Sequence, residues 1–216
     1  MRSTLFVAAT TLLALLMAAP IGKQASAQTT PQTLQSTYDQ AVKAKDWPGA
    51  VAAAQQLVDA NATSANLLML ANAQLYATTG QSDTGGMEVS LATYDRALAV
   101  AQQEKPAQGQ PDTAWKDGVA KIYVGRGNSL LKLKRNAEAI DSYNRGAELS
   151  SNPGLAYFNV CAVSYNIGDT TSAVTACRKS VQADPTRADA WFVLGSSLFA
   201  DAPVGSGKIV ISAETR

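Results

Sequence analysis

The chain has 216 residues, with 18 basic and 17 acidic side chains, two cysteines and no histidine. A formal charge of +1 leaves no electrostatic footprint for nucleic acid or an anionic membrane. The missing histidine removes the commonest general base and metal ligand. Cys161 and Cys177 alone cannot build a four-thiolate metal site within one chain.

The first segment reads as a leader. Arg2 gives a positive start, an apolar run extends from Leu5 to Ala19, and Pro20 and Gly22 break it. Ala25-Ser26-Ala27 then offers the small-x-small pattern that signal peptidase accepts. The run is about fifteen residues, short of the roughly 20 that span a bilayer. The expectation is a signal peptide over residues 1–27 with the mature chain starting at Gln28; an uncleaved anchor is the alternative. Loss of Arg2 and Lys23 leaves 16 basic residues against 17 acidic ones, a net charge of −1. No second apolar span follows, so the expected product has no membrane span and is periplasmic or secreted.

Helical periodicity runs through most of the remainder. Ile122, Tyr123, Leu130, Leu131 and Leu133 form one stripe, Lys134-Arg135-Asn136 a polar turn, and Ala139, Ile140, Tyr143, Ala147 and Leu149 a second stripe. Turn-forming clusters follow at Ser151-Asn152-Pro153-Gly154 and Ala183-Asp184-Pro185. A shift of about 34 residues carries Ala139 onto Ala173, Ile140 onto Val174, Tyr123 onto Tyr157 and Tyr157 onto Trp191. The same shift carries Gly127 onto Cys161, Cys161 onto Gly195, and the turn residue Lys134 onto Gly168. One period with a small residue recurring at one place is the mark of a solenoid.

From about Pro31 to Ala200 the chain resembles the tetratricopeptide repeat family. Trp191, Leu194, Gly195 and Leu198 match the opening of its motif. Ala173, Cys177, Ser180 and Pro185 match its second half, as do Ala139, Tyr143 and Gly146, and Ser90, Tyr94 and Ala97. The earliest unit, with Trp47, Ala50, Ala54 and Leu57, is the most diverged. The resemblance implies an all-α, right-handed α-solenoid of stacked antiparallel helix pairs. Its repeat domain covers 28–200, with units at about 31–64, 65–100, 120–153 and 154–187 and a half unit at 188–200. A flexible tail is expected over 201–216. Gly80–Gly86 is expected to lengthen the turn inside the second unit, and Gln102–Asp112 the link to the third. The Ile209-Val210-Ile211 triplet is too short to supply a final helix over Trp191, Leu194 and Leu198. A shortened terminus, a partner or a second copy would account for that edge.

In this family the first helices of each pair line a concave groove for peptides. By resemblance the groove-facing residues are Asn72, Leu75, Lys121, Val124, Asn128, Lys132, Phe158, Asn159, Tyr165, Asn166, Phe192, Ser196 and Phe199. Asparagine both donates and accepts, which suits a peptide backbone. Asn128 and Asn159 match two sites of the clamp that some relatives use for a terminal carboxylate. Val124, Asp189 and Val193 stand where its cations would be, which argues against such a clamp. Each of these residues also has a bland reading, as a solvated or packing position. Cys161 and Cys177 fall on the facing helices of one unit. Both readings stay open for them, a disulfide in an oxidising compartment and two buried small hydrophobes.

Two further motifs carry no chemistry. Gly205-Ser206-Gly207-Lys208 lacks the leading glycine and trailing hydroxyl of a phosphate loop, where Ala202 and Ile209 stand. Asp46, Asp59, Asp95, Glu104, Asp141, Asp169 and Asp184 are scattered, as caps, turn residues and solvated faces are. No catalytic residue, metal or cofactor is expected. The expected role is capture of a peptide or helix of another protein. An assembly subunit docking or self-associating through its terminal helix is the first alternative, and an enzyme of unknown type the second.

Overall fold

The computed structural model describes residues 30–78 and 84–200. The leader, most of the Gly80–Gly86 insertion and the segment 201–216, with its Gly205–Lys208 motif, lie outside the described residues. These form nine helices and no strand. In chain order they are α1 (Pro31–Ala44), α2 (Trp47–Ala60), α3 (Ser64–Ala77), α4 (Thr84–Gln103), α5 (Thr113–Lys132), α6 (Asn136–Leu149), α7 (Gly154–Asn166), α8 (Thr170–Ala183) and α9 (Ala188–Ala200).

Local chemistry sets the ends of these helices. The side chains of Thr30, Asp46, Thr63 and Asp169 accept from backbone N–H groups of the first turns of α1, α2, α3 and α8. Each satisfies a donor that no carbonyl within the helix can reach. Pro31 and Pro48 sit in the opening turns of α1 and α2, where a missing N–H costs nothing. Within three of the pairs the chain reverses by one device. Lys45, Lys134 and Gly168 take positive φ of 57°, 59° and 79°. The N–H of the next residue reaches back to the preceding helix: Asp46 to Ala41 O at 2.9 Å, Arg135 to Leu130 O at 2.9 Å, Asp169 to Ser164 O at 2.9 Å. This is the left-handed helix stop, and it brings the second helix back antiparallel after only a few residues.

Each helix packs on the next in sequence, and α3 also approaches α5 as α7 approaches α9. No comparable approach joins the second helices of successive pairs. At α3–α5 and α7–α9 the first helices therefore lie on the inside of the stack. The result is an all-α solenoid of helix pairs. One expected element boundary shifts. α4 begins at Thr84, so Thr84-Gly85-Gly86 extend a 20-residue helix instead of belonging wholly to a turn. α5 begins at Thr113 and also runs for 20 residues. Its opening turns are held by the Trp115 indole N–H, which donates to Ala101 O at 2.8 Å.

The recurring small residue has its explanation at the crossing within each pair. Gly127 of α5 lies under the Tyr143 ring of α6; a Cβ there would come within 2.5 Å of the ring. One period later the same two places hold Cys161 and Cys177, bonded as a disulfide with Cα atoms 5.0 Å apart and both side chains fully buried. In α3 and α4 the pair is Ala71 and Tyr94, both fully buried. In α1 and α2 the sizes exchange, Tyr38 on the first helix and Ala54 on the second. Three pairs thus solve one volume problem, one helix giving way where the other intrudes, and α7–α8 closes the same crossing with a disulfide. These residues tie into two apolar clusters, one about Leu67, Leu70, Tyr94 and Ile122, the other about Leu130, Tyr143, Val160 and Leu194.

Candidate functional site: the inner face of the first helices

Counting from the shared crossing position places Val124, Phe158 and Phe192 in one row across α5, α7 and α9, and Leu131, Tyr165 and Phe199 in a second. Within each helix the two rows are seven residues apart, so they share a face. Side chains along both rows stand further out toward α9. Val124 and Phe158 are half-buried against the second apolar cluster, whereas Phe192 is 75% exposed. Leu131 and Tyr165 are 38% and 42% exposed, and Phe199 is 76% exposed. Leu155, 48% exposed, adds to the same end of the stack. Rings this exposed contribute nothing to the core and present an apolar surface to solvent.

The polar residues expected in the groove divide into two groups. Asn72 and Asn128 already have work inside the fold: Tyr94 Oη donates to Asn72 Oδ1 at 2.6 Å and Tyr143 Oη to Asn128 Oδ1 at 2.8 Å. Burial pushes both phenols well above the ordinary tyrosine value, which keeps them donors. The two asparagines are therefore packing residues with one amide NH₂ left to offer. Lys121, Lys132, Tyr165 and Asn166 are exposed and Asn159 half-buried. Ser196 turns its hydroxyl onto Phe192 O at 3.0 Å within its own helix.

Leu75 corrects its groove assignment. It is buried, in the cluster that α3 shares with α4 and α5, because the close approach of α5 to α3 covers that side. Phe158 is also less available than expected, since the Arg187 guanidinium sits over its ring, 5.7 Å from the centroid. Arg187 is held there by Asp184 at 3.4 Å and Asp189 at 3.5 Å. Sequence reasoning missed Leu131 and Leu155, whose 34-residue relation to Tyr165 and Asp189 was available, and the capping arginine, which carried no signal.

A second exposed surface lies about 100° round α9 from the first. Trp191 is 44% and Leu198 37% exposed, and a Cβ on Gly195 between them would meet nothing within 4 Å. In the complete pairs this is the place that the second helix fills. Trp191 stays fixed by its indole N–H, which donates to Pro185 O at 2.9 Å.

Acidic groups elsewhere serve the fold. The Asp117 carboxylate accepts from the Ser151 backbone N–H at 2.7 Å and its hydroxyl at 2.8 Å, which holds it below the ordinary value. Glu104 does the same for the N–H and hydroxyl of Ser64 at the start of α3. Arg135 forks onto Glu138 at 2.7 Å through two nitrogens, and Arg126 pairs with Asp95 at 2.7 Å. Among the described residues no group of three His, Cys, Asp or Glu side chains could hold a metal ion. No described helix is long and apolar enough to cross a membrane.

A chain with this crossing pattern invites comparison with known repeats, and one family model answers. Residues 120–153 match the tetratricopeptide repeat. That segment covers α5 from Ala120, all of α6 and the turn into α7. Solved structures extend the likeness to the other pairs. A thermophilic TPR protein of Thermus thermophilus superposes with a TM-score of 0.62 at 16% identity, over 79% of this chain and 82% of that one. MamA protein gives 0.57 at 18% identity, over 78% and 81%. The Cut9–Hcn1 hetero-tetramer of the APC/C gives 0.61 at 20% identity, where 79% of this chain covers only 30% of that one. At these identities the likeness is one of fold. No curated protein sequence matches the chain.

Proposed function

We propose that the chain is an exported, non-catalytic scaffold that binds a segment of another protein along the inner face of α5, α7 and α9. The observation that carries this reading is the pair of in-register rows ending in Phe192 and Phe199, both three-quarters exposed. The rows recur at the repeat period, and their α9 members stand clear of the packing that Val124 and Phe158 share with the core. A tetratricopeptide repeat supports the reading, because helix-pair solenoids offer extended concave surfaces to partners. So does the use of the acidic groups described above, each occupied by a cap or an ion pair. Export rests on the leader pattern from Arg2 to Ala27.

The test is capture from the native envelope or secreted fraction, comparing wild type with Phe192→Ser/Phe199→Ser. Both rings face solvent, so the double variant should unfold with the wild-type midpoint while losing the captured protein. Equal capture by the two would end the inner-face reading. A catalytic turnover retained by the double variant would end the non-catalytic one. Fractionation of the full chain decides export: uncleaved protein in the cytoplasm would overturn it.

The outer face of α9 favours a second reading, docking of an assembly subunit at Trp191, Gly195 and Leu198. Concentration-dependent mass abolished by Trp191→Ser/Leu198→Ser, with capture through Phe192 unaffected, would assign association to that edge.

A further inference from the structure

The inner face is chemically lopsided. On α5, Lys121 and Lys132 are exposed and lie on the same side as Val124, Asn128 and Leu131. Neither lysine forms an ion pair among the described residues, whereas Arg126 and Arg135 beside them are paired with Asp95, Glu88 and Glu138. Asp117, one turn before Lys121, acts on it through space while accepting from Ser151. Helix α7 carries no charged residue. On α9 the one charged residue, Asp189, is tied to Arg187. The face therefore passes from two unpaired cations to uncharged rings.

We propose that the occupant of this face is a protein segment carrying acidic side chains at one end and large apolar ones at the other. Its carboxylates lie over Lys121 and Lys132 of α5, and its apolar side chains against Tyr165, Phe192 and Phe199. The proposal rests on the inner-face reading above and adds the chemistry of the partner and its direction. Charge complementarity argues for it. A basic segment would meet two like charges, of which Asp117 offsets only that of Lys121, whereas an acidic one adds the carboxylate that Lys132 lacks. Helices packed side by side stand roughly 8–10 Å apart, so a segment crossing three successive first helices must reach at least about 20 Å. That is about six extended residues, so an extended dodecapeptide, which reaches about 40 Å, is long enough.

The experiment is selection of a displayed random dodecapeptide library on the full chain, with counter-selection on Phe192→Ser/Phe199→Ser. Enriched peptides are then synthesised with fluorescein and titrated by anisotropy. The expected pool combines Asp or Glu with Phe, Leu, Ile or Trp. Affinity should fall about tenfold or more in the Phe192→Ser/Phe199→Ser variant. It should fall about two- to fivefold in Lys121→Gln/Lys132→Gln, and that second loss should vanish at about 1 M salt. An apolar pool without acid, indifferent to the lysine variant, overturns the proposal and leaves the inner-face reading standing. A basic or wholly polar pool also overturns it. Peptides enriched equally on both proteins, or none enriched at all, overturn the inner-face reading itself. Peptides lost instead with Trp191→Ser/Leu198→Ser overturn both and move binding to the outer edge of α9.

Discussion

Two glycines on α5 separate backbone propensity from helix crossing. A Cβ at Gly118 would meet nothing within 4 Å. Gly118→Ala should then express only the helix preference of alanine, a gain of roughly 0.5–1 kcal/mol. At Gly127 the same methyl would lie 2.5 Å from Tyr143 Cε1, where carbon atoms rest at about 3.5–4.0 Å. The ring must retreat by about 1 Å, and its hydroxyl is tied to Asn128 Oδ1 at 2.8 Å. Overpacking of this kind costs about 1–3 kcal/mol and loss of the hydrogen bond about 1 kcal/mol more. Set against the helix gain of about 1 kcal/mol, Gly127→Ala should destabilise by roughly 1–3 kcal/mol. Thermal unfolding followed by circular dichroism should separate the two variants by roughly 5–15 °C, with Gly118→Ala above wild type and Gly127→Ala below. Trimming the ring with Tyr143→Leu should remove part of the penalty for Gly127→Ala, as expected of residues in contact. If Gly127→Ala melts with Gly118→Ala, the ring moves freely and close approach is not why glycine stands there.

Two other expectations concern the same pairs and their caps. The Cys161–Cys177 bond closes a loop of sequence separation 16, so breaking it with Cys161→Ser/Cys177→Ser should cost about 3 kcal/mol on the chain-entropy account; Cys161→Gly/Ala162→Asn/Cys177→Tyr, which copies α5–α6 into α7–α8, should recover most of that in urea titrations under reducing conditions, and no recovery would show that the two crossings are not equivalent. The Asp117, Asp169 and Asp184 carboxylates are lowered from the ordinary 3.8 chiefly by hydrogen bonds from Ser151, Ser172 and Thr186, so their contribution is complete above that value and lost as pH falls through the lower folded values; the urea midpoint should hold from neutrality to about pH 5 and then decline, less steeply in Asp117→Asn, and a midpoint rising with acidification would contradict this.

The fold was legible in the sequence because a repeat states its packing rule several times over. Gly127, Cys161 and Gly195 in one register marked the crossing, and Lys134 over Gly168 marked the turn. Elements were less legible where that register is interrupted. Thr84–Gly86 reads as turn by composition, yet α4 takes these residues in, and α5 starts at Thr113, ahead of its clear periodicity. The inner face was legible as a face but not in its polar detail. Asn72 and Asn128 look like groove amides until Tyr94 and Tyr143 are seen to donate to them. Their separations, 22 and 15 residues, differ by the length of the insertion before α4, and recognising that would have exposed the pairing. Leu75 could not be resolved from pattern alone, because burial there depends on how closely α5 approaches α3, a distance that no periodicity encodes.

The exchange of sizes at the crossings also bears on how the inner face is free to vary. Each pair is held by one bulky and one small partner, or by a disulfide, set between the two helices. The rows Val124–Phe158–Phe192 and Leu131–Tyr165–Phe199 lie away from that point, and between α5 and α9 their members differ in size while the small crossing residue on the first helix, Gly127 and Gly195, is the same. Phe192 and Phe199 are exposed beside Gly195, while Val124 and Leu131 accompany Gly127; the small crossing residue is the same and the surface it supports is not. Packing therefore constrains these side chains weakly, and rings that project three-quarters into water carry a solvation cost that the core does not demand. A fold that leaves such rings exposed on α9, with exposed lysines on α5, has the asymmetry that the proposed one-way seating of a segment calls for.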